Sequence, residues 1–266
     1  MRVCFYPNSN KPAARDCAVE LSHKAAKLGL EVDDGCSCAD VVVALGGDGT
    51  ILRAVHTFPG VPVLGFNLGG LGYLAAVGSE DFESALKSLA AGAFRVSQRR
   101  MLSVTKDGAP PSFALNDIVL SREMSGRSVC IDLSADGKFV TSYLADGLIF
   151  ATPTGSTAYS LSAGGPVLLP DSGSFVVTPL NPHALGVRPI VIRDDVSFEA
   201  KARGRMPLDE VRIGVYADGV LAMNLSAGEH VSITRAEECA RLVELEGYDP
   251  YDVLARKLGW SGSCVG

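Results

Sequence analysis

Ten consecutive residues, Val41-Val42-Val43-Ala44-Leu45-Gly46-Gly47-Asp48-Gly49-Thr50, restrict what this chain can fold into more than any other stretch. An unbroken, Val-rich aliphatic run is the pattern of a strand buried on both faces, as inside a parallel sheet. It stops abruptly at three glycines around one aspartate. Glycine permits positive φ and lets a backbone come close to a ligand, and the exposed amides of such a turn form a concave anion site. A carboxylate at the carboxyl end of a buried strand stands where open α/β sheets bind their ligands. Taken alone, the turn is equally a tight bend with an Asp at a helix start.

The neighbouring segments extend the α/β pattern. Val3–Tyr6 reads as a first strand, and Pro12–Leu28 carries Cys17, Ala18, Leu21, Ala25 and Leu28 at helical spacing before Gly29 as a C-terminal stop. Thr50–His56 fits a short helix in which Arg53 can swing back over the glycine turn. Val61–Gly65 reads as another buried strand, followed by a second glycine-rich loop from Asn67 to Tyr73. Ser79 is expected to cap a helix running to about Ala90. Gly70-x-Gly72-x-x-Ala75 fits the dinucleotide fingerprint by spacing but lacks the acidic partner that motif needs.

Strands alternating with helices predict an α/β, doubly wound N-terminal domain over residues 1–97. Beyond Arg99-Arg100 short strand-like runs succeed one another, at Leu102–Thr105, Ile118–Leu120, Val129–Leu133, Phe139–Leu144, Leu148–Ala151, Ser174–Val177, Val196–Ala200, Val211–Tyr216 and Val231–Thr234, separated by turns such as Asp107-Gly108, Asp136-Gly137 and Asp218-Gly219. The expectation there is an all-β, sandwich-like domain over 98–247, followed by a C-terminal helix and tail over 248–266, the helix at Pro250–Leu258.

A net charge of −6 without basic runs argues against a nucleic-acid partner. The uncharged stretches Ala54–Ser79 and Gly147–Pro170 are long enough to span a bilayer but are broken by Gly, Pro and hydroxyl residues, so no membrane partner is expected. Seven scattered cysteines (Cys4, Cys17, Cys36, Cys38, Cys130, Cys239 and Cys264) suit reduced thiols in the cytoplasm better than a disulfide framework. No signal peptide is visible at the start, and no metal-ligand spacing stands out.

One stretch in the β-rich half departs from its surroundings. After Asp146-Gly147 and a strand comes Thr152-Pro153-Thr154-Gly155-Ser156-Thr157-Ala158-Tyr159-Ser160-Leu161-Ser162-Ala163-Gly164-Gly165-Pro166, a hydroxyl-rich turn opening one or two helical turns. Such a start presents amides and hydroxyls to an anion or a ribose. Asn116-Asp117 is a third island, at the head of a strand.

Together, the Gly46–Thr50 turn, the Asn67–Tyr73 loop, Asn116-Asp117, Asp146-Gly147, Thr152–Pro166 and Pro182-His183-x-Leu185-x-x-Arg188-Pro189 resemble the NAD kinases, in family order, over roughly residues 40–235. The resemblance implies transfer of the terminal phosphoryl group of ATP, or of polyphosphate, to the adenosine ribose 2′-hydroxyl of NAD. It implies Asp48 as the group accepting the hydroxyl proton. Gly49, Asn116, Asp117, Asp146, Thr157, Ala158, Tyr159 and Ser162 would bind NAD, and Gly46, Gly47, Thr50 and Arg53 the donor phosphates. Mg²⁺ with ATP and a homodimer or homotetramer are implied too. An Asp pKa near ~3.9 favours late proton acceptance with orientation over abstraction in advance. Two departures stand out: Asp117 where Glu is commoner, and Val220 where many relatives carry Gln. The alternatives are a lipid or diacylglycerol kinase sharing the glycine turn, or a non-catalytic NAD(P)-sensing module.

Overall fold

The computed structural model describes residues 1–69, 72–74, 77–123, 128–204 and 212–260. The chain divides into two compact units, one of residues 1–98 with 240–266 and one of residues 99–239. The sequence reading runs the β-rich domain to 247 and sets the last helix apart. Instead, the second unit closes at Cys239, and the chain after it packs with the first.

In the first unit, β1 (Arg2–Pro7), α1 (Pro12–Lys27), β2 (Glu31–Val32), β3 (Val41–Gly46), α2 (Asp48–Thr57), β4 (Val63–Asn67), a 3₁₀ turn (Ser79–Asp81) and α3 (Phe82–Ala91) follow one another. The parallel strands lie in the order β2-β1-β3-β4. Every residue of β3 is buried, as its apolar run predicts. Alternate residues face opposite ways along a strand. Val41, Val43 and Leu45 accordingly share one apolar cluster with Leu21 and Ala25 of α1 and Leu86 and Leu89 of α3, while α2 packs on β3 and β4 with Ile51, Ala54 and Val55 buried. Phe66 stacks on Phe82 with ring centroids 4.4 Å apart.

α1 ends as expected, with Gly29 in the left-handed region. α2 begins two residues earlier than the expected Thr50, at Asp48. Ser79 does not cap α3: its hydroxyl donates to Glu80, and the helix proper starts at Phe82. The reduced-thiol expectation also fails at one pair, Cys4 and Cys36, which form a disulfide with Cα atoms 5.1 Å apart. The Asp33 carboxylate accepts from Gly35 N and Cys38 N at 3.2 and 2.7 Å, curling the chain so that Cys36 turns back onto β1. Cys17, Cys38, Cys130 and Cys239 are free thiols, and Cys264 lies outside the described residues.

β5 (Phe94–Thr105) leads into the second unit, which holds β6 (Ser112–Ala114), β7 (Asp117–Arg122), β8 (Val129–Ala135), β9 (Lys138–Ala145), β10 (Gly147–Ala151), a 3₁₀ turn (Gly155–Thr157), α4 (Tyr159–Ser162), β11 (Ser174–Leu180), β12 (Ile190–Arg193), β13 (Phe198–Arg203), β14 (Arg212–Ala217) and β15 (Val220–Ser226). β16 (His230–Leu245) and α5 (Pro250–Leu258) return the chain to the first unit. Six antiparallel strands lie in the order β12-β11-β10-β7-β14-β15. β13 pairs antiparallel with β8 and with the start of β16, and β8 with β9. One apolar cluster gathers Ile118, Leu148 and Phe150 with Ile131, Phe198 and Ile233. A second, of Val119, Ile149, Ala151, Val176 and Leu180, is covered by Ala163 and Leu168. The hydroxyl-rich stretch is thereby pinned to the outer face of the six-stranded sheet.

Candidate functional site

Asp48 occupies the first position of α2, directly after the buried strand β3, where its charge complements the helix dipole. Its carboxylate accepts from Tyr73 N at 2.8 Å and Leu74 N at 3.1 Å, so the second glycine-rich loop fixes its orientation. Gly72 stands so near that a Cβ there would overlap Asp48 Oδ1. Burial, and then the Asp48 charge, push the Tyr73 phenol up. Lys257 of α5 lies 5.1 Å from the centre of the same ring.

The glycines of the first turn serve different ends. A side chain on Gly46 would collide with the Thr50 hydroxyl, which is buried, so this glycine is required by packing. Gly47 and Gly49 instead face open space. None of the three adopts the positive φ that the sequence reading allows for. Gly47 is extended at φ −117° and caps the helix through its backbone. Arg53 is exposed on α2, four residues from Gly49 and so on the same helix face.

In the second unit, Leu115, Asn116 and Asp117 are gripped on two sides. Their amides donate to the Asp218 carboxylate at 2.7, 2.8 and 3.2 Å. On the other side Thr152 Oγ1 donates to Leu115 O at 2.6 Å and Thr152 N to Asn116 O at 2.9 Å. Gly155 packs directly on the Asn116 carbonyl, leaving no room for a Cβ. Asp117 is 6 % exposed; burial, and next the neighbouring Asp218 carboxylate, push its pKa up to about 7.

Within Thr152–Pro166 the hydroxyls divide by spacing. Thr152, Ser156 and Ser160 are buried struts: Ser156 donates to Pro153 O at 2.7 Å and accepts from Leu168 N, and Ser160 pairs with Thr178 at 2.8 Å. Tyr159 and Ser162 are exposed, and Thr157 and Ala158 half-buried. The anion-cradle expectation for this turn is narrowed by its own bonding, because Gly155 N, Ser156 N and Ala158 N already donate to Thr152 Oγ1, Thr152 O and Gly155 O. Asp146 is half-buried, with one oxygen 3.2 Å from Arg122 Nε and the other accepting from Asn181 at 3.0 Å.

Residues 16–94 match the profile of the ATP-NAD kinase N-terminal domain, and residues 115–245 that of the ATP-NAD kinase C-terminal domain. An NAD kinase of Protochlamydia amoebophila is 38% identical, with 98% of each chain covered. The chain belongs to the NAD kinase family. Another member, from Symbiobacterium thermophilum, is 44% identical over 82% of this chain and 78% of its own. Among solved NAD kinase structures, a yeast NADH kinase complexed with NADH superposes with a TM-score of 0.87 at 25% identity, covering 99% of this chain and 88% of that one. An Archaeoglobus fulgidus NAD kinase in complex with ATP gives a TM-score of 0.79 at 27% identity, covering 97% and 99%.

Each unit of this NAD kinase fold brings together part of the residue set read from the sequence. Gly46, Gly47, Asp48, Gly49, Thr50 and Arg53 share the β3–α2 junction. Asn116 and Asp117 lie against the start of the Thr152–Pro166 stretch. Asp218, Arg122, Asn181 and Lys257 escape the sequence reading as site residues. Asp218 carries the signal of a turn only, and the partners of Asp146 are 24 and 35 residues away along the chain, beyond any local motif.

Proposed function

We propose that the chain phosphorylates the adenosine ribose 2′-hydroxyl of NAD, with ATP as donor and NADP as product. The observation carrying this reading is the match to an NAD kinase along 98% of both chains. Phosphoryl transfer asks a protein mainly for positioning and charge neutralisation. Asp48, oriented by the amides of Tyr73 and Leu74 at the carboxyl end of β3, is the acceptor for the hydroxyl donor. In this role it orients the 2′-hydroxyl and takes its proton late. The open faces of Gly47 and Gly49 admit donor phosphates, with Arg53 offsetting their charge. Asn116, Asp117 and Asp146 take the nucleoside, and Thr157, Ala158, Tyr159 and Ser162 the remaining ribose and nicotinamide.

The donor enters as its Mg²⁺ complex. Mg²⁺ dehydrates reluctantly and is held largely through substrate phosphates and water. Polyphosphate is an alternative donor of the same chemistry. The fold reading that accompanies this function is a doubly wound first domain, supported by helices packing on alternate faces of β3, and a β-sandwich-like second one. We place the protein in the cytoplasm as a homodimer or homotetramer. Among the described residues no helix is long and apolar enough to cross a membrane. A lipid or diacylglycerol kinase would lack the Thr152–Pro166 stretch.

Incubation with NAD, ATP and Mg²⁺, followed by an NADP-specific dehydrogenase, tests the proposal. NADP formed in step with ADP is the expected result. Dinucleotide binding with no product would leave a sensing module instead. Parallel reactions with NADH and with polyphosphate define acceptor and donor.

A further inference from the structure

We propose that Asp218 is the positioning residue of the acceptor site, holding the backbone of residues 115–117 so that Asn116 and Asp117 present their side chains to the nucleoside. The inference rests on the NAD kinase reading and extends it to a residue outside the site set. One carboxylate takes three successive amides, at 2.7, 2.8 and 3.2 Å, from a segment about a hundred positions earlier in the chain. Asp218 N donates back to Asp117 O at 3.0 Å, so the two segments are locked both ways. Successive N–H groups converging on one point form a nest for a negative charge; here the chain supplies that charge itself.

The turn alone does not require an aspartate. Asp218-Gly219 joins β14 to β15 with φ of +47° and +80°, a geometry that Asn-Gly satisfies as well as Asp-Gly. Aspartate also brings a like charge beside Asp117, which a purely structural turn would avoid. What asparagine cannot supply is a second acceptor oxygen: its amide nitrogen would point at a backbone N–H. The amide clamp opposes the carbonyl grip of Thr152 and the close packing of Gly155. Residues 115–117 are thus fixed from both sides, and Asp218 is the charged half of that fixation.

The test is steady-state kinetics of Asp218→Asn alongside the wild type. The expected result is a KM for NAD raised at least tenfold, with kcat within threefold and the KM for ATP within twofold, at an unfolding midpoint showing a folded protein. A double variant with Asn116→Ala is expected to lose little more than the worse single variant, because both act through one contact set. A folded Asp218→Asn with wild-type KM for NAD, or losses that multiply in the double variant, would overturn the positioning role. If Asp218→Asn does not fold, Asp218→Glu carries the same test, since it keeps the charge but displaces it by one methylene. A wild type that forms no NADP would instead sink the NAD kinase reading itself, so the two failures are distinct.

Discussion

A single methyl group added to Gly72 would overlap the Oδ1 atom of Asp48. The carboxylate sits under a loop whose next two amides hold it, so its position is set by residues 24 to 26 places further on. Misplacing a reacting group by about 1 Å can cost roughly 10²-fold in rate. Gly72→Ala is therefore expected to lower kcat by about two orders of magnitude while the unfolding midpoint moves little. Turnover near the wild-type value would show that the loop does not set the Asp48 geometry.

Asp48→Asn removes the proton acceptor at nearly unchanged side-chain size, and its amide nitrogen also takes the place of one of the two oxygens that hold Tyr73 N and Leu74 N. Loss of a group that takes a proton in the transition state costs about 10²–10⁴-fold. The expected outcome is a kcat reduced by about 10³-fold with NAD affinity, measured by calorimetry, within a few-fold of wild type. Retained turnover would remove Asp48 from the chemistry, and a large loss of affinity would make it a binding group instead.

The contrast between these residues and the rest of the site marks what the sequence could carry. β3, the glycine turn and α1 are legible because burial and helix capping depend on residues adjacent in the chain, and α5 is found at its observed bounds for the same reason. β16 reads in the sequence as four residues, Val231–Thr234, although it runs from His230 to Leu245. Its later part is a run of charged and small residues whose strand character comes from pairing, as at Leu242 with Val63, not from alternation. β12 and β15 escape notice because edge strands expose their apolar residues, among them Val191 and Val220. In the site, residue identities are legible and their mutual bonding is not. No local pattern announces that Ser156 and Ser160 face inward while Tyr159 and Ser162 face out, or that Asp218 reaches Asn116.

Thr152 offers a test of that hidden framework. Its buried hydroxyl donates to Leu115 O at 2.6 Å and accepts from Gly155 N at 3.1 Å. Thr152→Val keeps the shape and leaves both backbone groups without this partner, and a buried group so deprived costs about 1–3 kcal/mol. A lower midpoint in denaturant is expected, together with a raised KM for NAD, because Leu115, whose carbonyl loses this donor, directly precedes Asn116. Thr152→Ser, which keeps the hydroxyl, should restore most of both. If Val and Ser variants behave alike, the hydroxyl is not a strut.

Asp117 gives the stability a pH signature of definite sign. Burial first, and the Asp218 carboxylate second, raise its pKa from the ordinary 3.8 of a solvated aspartate to about 7 in the fold. Between these values the folded chain holds a proton that the unfolded chain has released, so stability falls as pH rises. The full contribution is present below about pH 4, declines through the interval and is gone above about pH 7. At roughly 1.4 kcal/mol per tenfold change in the ionisation constant, the fall is on the order of 4 kcal/mol. Asp117→Asn, which carries no ionisable proton, is expected to flatten this slope and to unfold later than the wild type at pH 8, while raising the KM for NAD. Urea unfolding at pH 5, 6.5 and 8 measures it. Parallel slopes for the two proteins would mean that Asp117 ionises as freely in the fold as in the unfolded chain.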